Sequence, residues 1–181
     1  VANTALIVID MITPYDYPDA DQLLSSAEAA VPAIERLIER ASADDVPVIY
    51  VNDNFGSWTS NRDSIYQVAI EGKAPQLVEP LRPAEETMFV VKARHSIFFQ
   101  TPLEYLLGQL KATRLVLTGQ VTEQCVLYSA LDAHIRHHDV VIPKDAVAHI
   151  HEELAEAALK MMELNMGANI CAADGLELRA E

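Results

Sequence analysis

The stretch "RLVLTGQVTEQCVLYSALDAHIRHH", Arg114–His138, holds an unbroken apolar run, a short polar turn and then an amphipathic run within 25 residues. The apolar run "RLVLTGQV" predicts a strand buried on both faces, and "TEQCVLYSALDAHIRHH" predicts the helix that follows it. Buried strands joined by helices pack as a parallel sheet with helices on both sides. Working outward, the same alternation repeats. Towards the C-terminus come the strand "DVVIPKDA", the helix "HEELAEAALKMMELNMG" closed by Gly167, and a sixth strand, "ANICAADG". Towards the N-terminus come "TMFVVKA" and the helix "TPLEYLLGQLKA", with Thr101 as N-cap and Pro102 in its first turn. Before these lies "VPVIYVND", and at the start "ALIVID" is followed by the helix "ADQLLSSAEAAVPAIERLIERA". Leu24, Ala27, Val31, Ile34 and Ile38 recur at helical spacing there, and Pro32 marks a kink or a restart. The expectation is one domain over residues 1–181: a three-layer, doubly wound α/β fold on a six-stranded, mostly parallel sheet. The 30 residues after the second strand, Asn54–Pro83, hold three prolines and two glycines with weak periodicity, and read as a long functional loop.

Composition narrows the function. Thirteen basic against 27 acidic residues give a formal charge of −14, a field that repels phosphate backbones and anionic membranes. Nucleic acid and membrane are therefore not expected partners, and no apolar run approaches the roughly 20 residues that span a bilayer. The opening "VANTALIVID" lacks the basic stretch and cleavage site of a signal peptide. Cys125 and Cys171 fall in different elements, which favours free thiols and a cytoplasmic setting.

Ligands of doubly wound sheets bind outside the carboxyl ends of the strands. Polar residues stand at those ends: Asp10, Asp53 and Asn54, Lys92, the turn Gly119–Cys125, then Lys144 and Asp145. Thr122 is read as an N-cap, which puts Glu123, Gln124 and Cys125 in the first helical turn, at the positive end of the helix dipole. A thiol there is expected to have a lowered pKa, and nearby N–H groups can receive an oxyanion. The competing reading is that Cys125 packs as a small apolar residue. Cys171, inside a strand, reads as core. Asp10 needs a partner if buried, and Lys92, at the matching end of another strand, can supply it; solvation of both at the rim is the alternative. Together the carboxylate can take and return the thiol proton while the ammonium keeps the acid in place. His134, His137 and His138 close a helix C-terminus, where imidazolium suits the dipole, so no metal site is read there. Phe55 and Trp58 on the long loop, with Arg94 and Tyr128, are the candidates for the substrate pocket. Arg94 suits a substrate carboxylate, with a surface salt bridge as the alternative.

Three blocks in order resemble the isochorismatase-like cysteine hydrolases, which include nicotinamidases and N-carbamoylsarcosine and ureidoacrylate amidohydrolases. "ALIVIDM" is similar to the family's opening strand with its catalytic aspartate, here Asp10. "VVKARHSIFFQTPLEYLL" is similar to the segment carrying the catalytic lysine, Lys92, with Ser96, Phe98, Thr101 and Leu103 at its following positions. "LVLTGQVTEQCVLYSALDAHIRHHDVVIPKDAVA" resembles the block whose Gly-x-x-Thr-x-x-Cys-Val turn carries the nucleophile, Cys125. The resemblance implies a cis peptide at Gln120–Val121 that turns the Val121 N–H towards an oxyanion beside the Cys125 N–H. It also implies a small-molecule substrate and a homo-oligomer. Two departures shape the reading. "MITPYDY" stands where many members have Gln-Asn-Asp-Phe, so that wall of the pocket differs. "NDNFGSWTS" lacks the histidine of the nicotinamidase metal motif, so neither a metal nor another cofactor is expected. With a cysteine at the turn, hydrolysis of a C–N bond in an amide, carbamoyl or ureido compound is the expected chemistry.

Three other classes compete. A haloacid-dehalogenase-type phosphatase also starts from a strand-end aspartate, but it needs a second acid two residues on, where Ile12 stands. A non-catalytic binding module of the same fold would have no need of all three triad positions. A dinucleotide-binding enzyme would carry Gly-x-Gly-x-x-Gly after the first strand, and this chain does not.

Overall fold

A computed structural model describes residues 3–179. Seven strands form one sheet: β1 (Asn3–Ile9), β2 (Val48–Asp53), β3 (Met88–Lys92), β4 (Ala112–Gln120), β5 (Asp139–Pro143), β6 (Val147–Ala148) and β7 (Asn169–Cys171). The order is β3-β2-β1-β4-β5-β7, with β6 beside β4, and every pairing is parallel. The strand beyond the expected six is β6. It has only two residues, too few to show a pattern, and pairs through Gly119↔Val147 and Gln120↔Ala148.

Alternation along the strands fills two cores. Leu6, Val8, Tyr50, Val116 and Val141 face one layer, which holds α1 (Ala20–Ala43), α2 (Arg62–Ile70) and α3 (Pro75–Val78). Ala5, Ile7, Ile9, Ile49, Val51, Leu115 and Leu117 face the other, with α4 (Leu103–Leu110), α5 (Leu127–Ile135) and α6 (Glu152–Met166). A strand buried on both faces must be apolar throughout, which is why these strands read as continuous runs.

Four details depart from expectation. α1 runs unbroken through Pro32, which lies on the exposed side, where water can serve the carbonyl that loses its N–H partner. Of its expected apolar positions Ala27, Val31 and Ile34 are buried, with Leu23, Ala30, Leu37 and Ala41 beside them, while Leu24 and Ile38 lie only at the margin. The segment after β2 is not one long loop. It folds into α2, started by a reciprocal Asn61–Ser64 capping box, then α3 and a 3₁₀ turn (Glu79–Leu81). Helices this short complete too few turns for periodicity to show. Thr101 is not the α4 cap: the helix starts after Pro102, while the Thr101 hydroxyl donates to the Ile97 carbonyl.

The carboxyl ends of β1 and β4 are drawn together at Gly119. Its φ is +103°, and a Cβ there would meet the Ile9 carbonyl oxygen at 2.1 Å, so only glycine fits. Among the described residues no helix is long and apolar enough to cross a membrane.

Candidate active site

Three strands deliver charge to one point. Asp10 follows β1 in a left-handed conformation (φ 54°), its N–H bonded to the Val51 carbonyl, so the chain turns sharply and its carboxylate points along the sheet edge. Asp53 ends β2 and Lys92 ends β3. Lys92 is the long side chain that reaches back across β2. Its Nζ lies 2.8 Å from Asp10 Oδ2, 3.6 Å from Asp53 Oδ2 and 3.7 Å from Cys125 Sγ, with the side chain fully buried. Asp10 Oδ1 accepts from the Asp53 N–H at 2.8 Å, so the carboxylate is held between that N–H and the Lys92 ammonium.

The surrounding turns are fastened by buried amides. Asn52 pairs with the backbone of Ile12 in both directions, Oδ1 accepting at 3.0 Å and Nδ2 donating at 2.9 Å. Gln120 Nε2 donates to the Asp10 carbonyl at 2.8 Å, and its Oε1 accepts from the Tyr15 hydroxyl at 3.3 Å. These bonds hold the chain after Asp10 against the ends of β2 and β4.

Cys125 lies in a single π-helical turn, Thr122–Val126, that leads into α5. The expected N-cap is corrected here. Thr122 makes no cap; its hydroxyl donates to the Ala148 carbonyl at 2.9 Å, tying the turn to β6. The first five-residue bond of the turn is Val126 N–H to the Val121 carbonyl, so the Cys125 N–H precedes that ladder, at the positive end of the following helix. The Gln120–Val121 peptide is cis. Glu123 anchors the turn from below: it is buried, and its Oε1 accepts from the N–H groups of Ile150 (3.0 Å) and His151 (2.7 Å) ahead of α6.

The electrostatics reverse one expectation. The Cys125 thiol is pushed well above its ordinary range, first by burial and next by the Asp10 charge, and Lys92 offsets only part of this. Cys125 therefore rests as a thiol rather than a thiolate. Asp10 is also raised, burial outweighing the pull of Lys92. Burial lowers Lys92, but Asp10, Cys125 and Asp53 more than reverse this, so its ammonium is held above the usual lysine range.

Asp10, Asp53 and Cys125 line a cavity of about 480 Å³ together with Thr13, Tyr17, Phe55, Arg94, Gln120 and Ile150, among others. A volume of this size takes a small molecule. Of the four residues expected in the pocket, Phe55 and Arg94 line it. Trp58 does not: it is 85% exposed and borders an adjoining cavity of about 650 Å³ with Asn54, Phe99 and Gln100. Tyr128 stands outside as well, edge-on to the His95 ring at 5.5 Å in a groove along α5. Both side chains leave their elements away from Cys125, a direction that periodicity does not report. Asp53 belongs to the charge network, although its strand-end position was the only sign of it in the sequence. Asn52 was not singled out, and Gln120 and Glu123 were placed in the turn without their anchoring bonds, because the partners of all three lie between 27 and 110 residues away. Cys171 ends β7, partly buried and packed against the core. Among the described residues no three His, Cys, Asp or Glu side chains converge as metal ligands.

Residues 4–174 match the isochorismatase domain family. Over 162 residues, 90% of each chain, the sequence is 34% identical to an uncharacterized isochorismatase family protein of Bacillus subtilis. It is 29% identical over 177 residues to a probable inactive nicotinamidase of Arabidopsis thaliana, covering 91% of this chain and 90% of that one. The crystal structure of N-carbamoylsarcosine amidase from Thermoplasma acidophilum shares the fold with a TM-score of 0.75, at 24% identity, covering 97% of this chain and 99% of that one.

Proposed function

Since the chain belongs to the isochorismatase family of hydrolases, we propose that it hydrolyses the C–N bond of a small amide, carbamoyl or ureido compound through a thioester on Cys125. The observation that carries this is the contact of one buried ammonium with both an acid and a thiol: Lys92 Nζ lies 2.8 Å from Asp10 and 3.7 Å from Cys125, and both of these partners line a substrate-sized cavity.

Because the resting thiol is protonated, Sγ attacks the carbonyl carbon as Asp10 takes its proton, and the two events are coupled. The developing oxyanion is received by the Val121 and Cys125 N–H groups. Collapse of the tetrahedral intermediate breaks the C–N bond, and Asp10 returns the proton to the departing ammonia or amine. Water then attacks the thioester with Asp10 again as base, and the acid is released as sulfur regains its proton. Lys92 keeps the carboxylate ionised between steps, and Asp53 holds Lys92 from its other side. Each step is carried by these side chains and uses no cofactor.

The test is an ammonia- and amine-release screen over small amides, ureas and carbamoyl amino acids, with acid-quenched samples read by intact mass. Turnover with an acyl adduct on the Cys125 peptide supports the reading. Turnover that survives in Cys125→Ala overturns it.

A further inference from the structure

The cavity holds one cation that the reaction does not use. Arg94 sits two residues beyond Lys92, exposed on the wall of the cavity that contains Cys125. It makes no ion pair and no hydrogen bond among the described residues, so the surface salt bridge expected as its alternative role is not formed. In a chain with 27 acids and 13 bases, an arginine without a carboxylate is the less expected outcome.

Three carboxylates share this cavity wall, and none is paired with Arg94. Asp10 gives one oxygen to Lys92 and the other to the Asp53 N–H. Asp53 gives Oδ2 to Lys92, and its Oδ1 accepts from the Phe55 N–H at 2.7 Å. Asp19, the third carboxylate on the wall, has a long contact of 3.5 Å from Gln22 Nε2 and no pairing with Arg94. Lys92 is fully buried and committed to Asp10 and Asp53, so it has no donor to spare for a substrate anion. The guanidinium is thus the charge on this wall still open to a ligand, and its planar fork suits a carboxylate. With a net charge of −14, the field of the whole molecule does not attract anions; selection for one has to be local.

We infer that Arg94 is a specificity residue that grips a carboxylate on the substrate, so that the compounds cleaved are anionic amides, N-carbamoyl or ureido acids in preference to neutral amides. This rests on the amidohydrolase reading above. The scissile carbon then lies at Cys125 and the carboxylate at Arg94, two residues that line the same 480 Å³ cavity.

The experiment uses matched pairs: N-carbamoylglycine against N-carbamoylglycinamide, 3-ureidopropionate against 3-ureidopropionamide, and succinamate against succinamide. Turnover is measured with the wild type, Arg94→Ala and Arg94→Lys, and binding is measured by calorimetry on Cys125→Ala. The expected result is a wild-type preference for the carboxylate of about 10- to 100-fold in kcat/KM, arising mainly in KM. Arg94→Ala should abolish that preference by costing the carboxylate substrate far more than its neutral partner, and Arg94→Lys should restore part of it. Equal losses on both partners, or no loss on either, overturn the assignment. Charge-selective binding without turnover by the wild type keeps Arg94 and sinks the amidase reading. Turnover without charge preference does the reverse, and neither binding nor turnover across the pairs sinks both.

Discussion

Two cysteines lie at the carboxyl edge of the same sheet, and their surroundings separate the proposed nucleophile from a spectator. Cys125, past the end of β4 near the middle of the sheet, has the Lys92 ammonium at 3.7 Å, and that ammonium is paired with Asp10 at 2.8 Å. Cys171, at the end of the edge strand β7, is partly buried, its thiol raised by burial and by Asp145 and opposed by Arg114. Both thiols are held above their ordinary range, so a low resting pKa does not distinguish them. The distinguishing feature is a buried ammonium that touches the sulfur and an acid together. The central position supplies it because three strand ends converge there, whereas β7 has a strand on one side only.

The contrast can be broken most directly by exchanging each cysteine for alanine. Cys125→Ala should lower turnover by about 10⁴-fold or more, while Cys171→Ala should stay within about twofold of wild type; equal losses measured by steady-state kinetics would erase the distinction. Asp10→Asn should lower turnover by about 10³-fold and yet speed iodoacetamide labelling of Cys125 at neutral pH, because the charge that raises the thiol is gone. Slower labelling would show that Asp10 activates the resting thiol instead. Lys92→Met leaves two carboxylates unpaired in a buried site, and should cost about 3–5 kcal/mol of stability in urea titrations.

The smallest effect is in pH dependence. Asp10 must be ionised to act as base, and its pKa lies above the ordinary value, so the acid limb of kcat/KM should fall at a pH above the usual aspartate range of about 3.9. The same raised value means that the folded state binds this proton more tightly than the unfolded one. Asp10's contribution to stability is therefore full below about pH 3.9 and is lost as pH rises through its folded pKa. Lys92, also raised, contributes stability throughout the neutral range and loses it only in alkali. An acid limb at or below pH 3.9 would contradict the burial argument.

Much of the fold was legible because its signals are local. A strand buried on both faces is apolar along its whole length, and "ALIVID", "VPVIYVND" and "RLVLTGQV" each state this without reference to the others. β6 was not legible, since two residues carry no period, and α2 and α3 were lost among prolines for a similar reason. The placement of Asp10, Lys92 and the Cys125 turn at strand ends followed from the same runs. Trp58 and Tyr128 were misplaced because the direction a side chain leaves its element depends on packing rather than spacing.

The sequence by itself determined that acid, lysine and thiol occupy the carboxyl ends of buried strands, since hydropathy is written residue by residue. Tertiary structure decided which strand lies between them. The order β3-β2-β1 places β2 between Lys92 and Asp10, so the lysine must pass Asp53 on its way, and Asp53 becomes part of the network. Tertiary structure also decided the protonation of Cys125. The helix dipole and the lysine, both readable from the chain, favour a thiolate, but burial and the Asp10 charge outweigh them. Desolvation and through-space charge are set by neighbours up to 115 residues apart in sequence, and no local pattern records them.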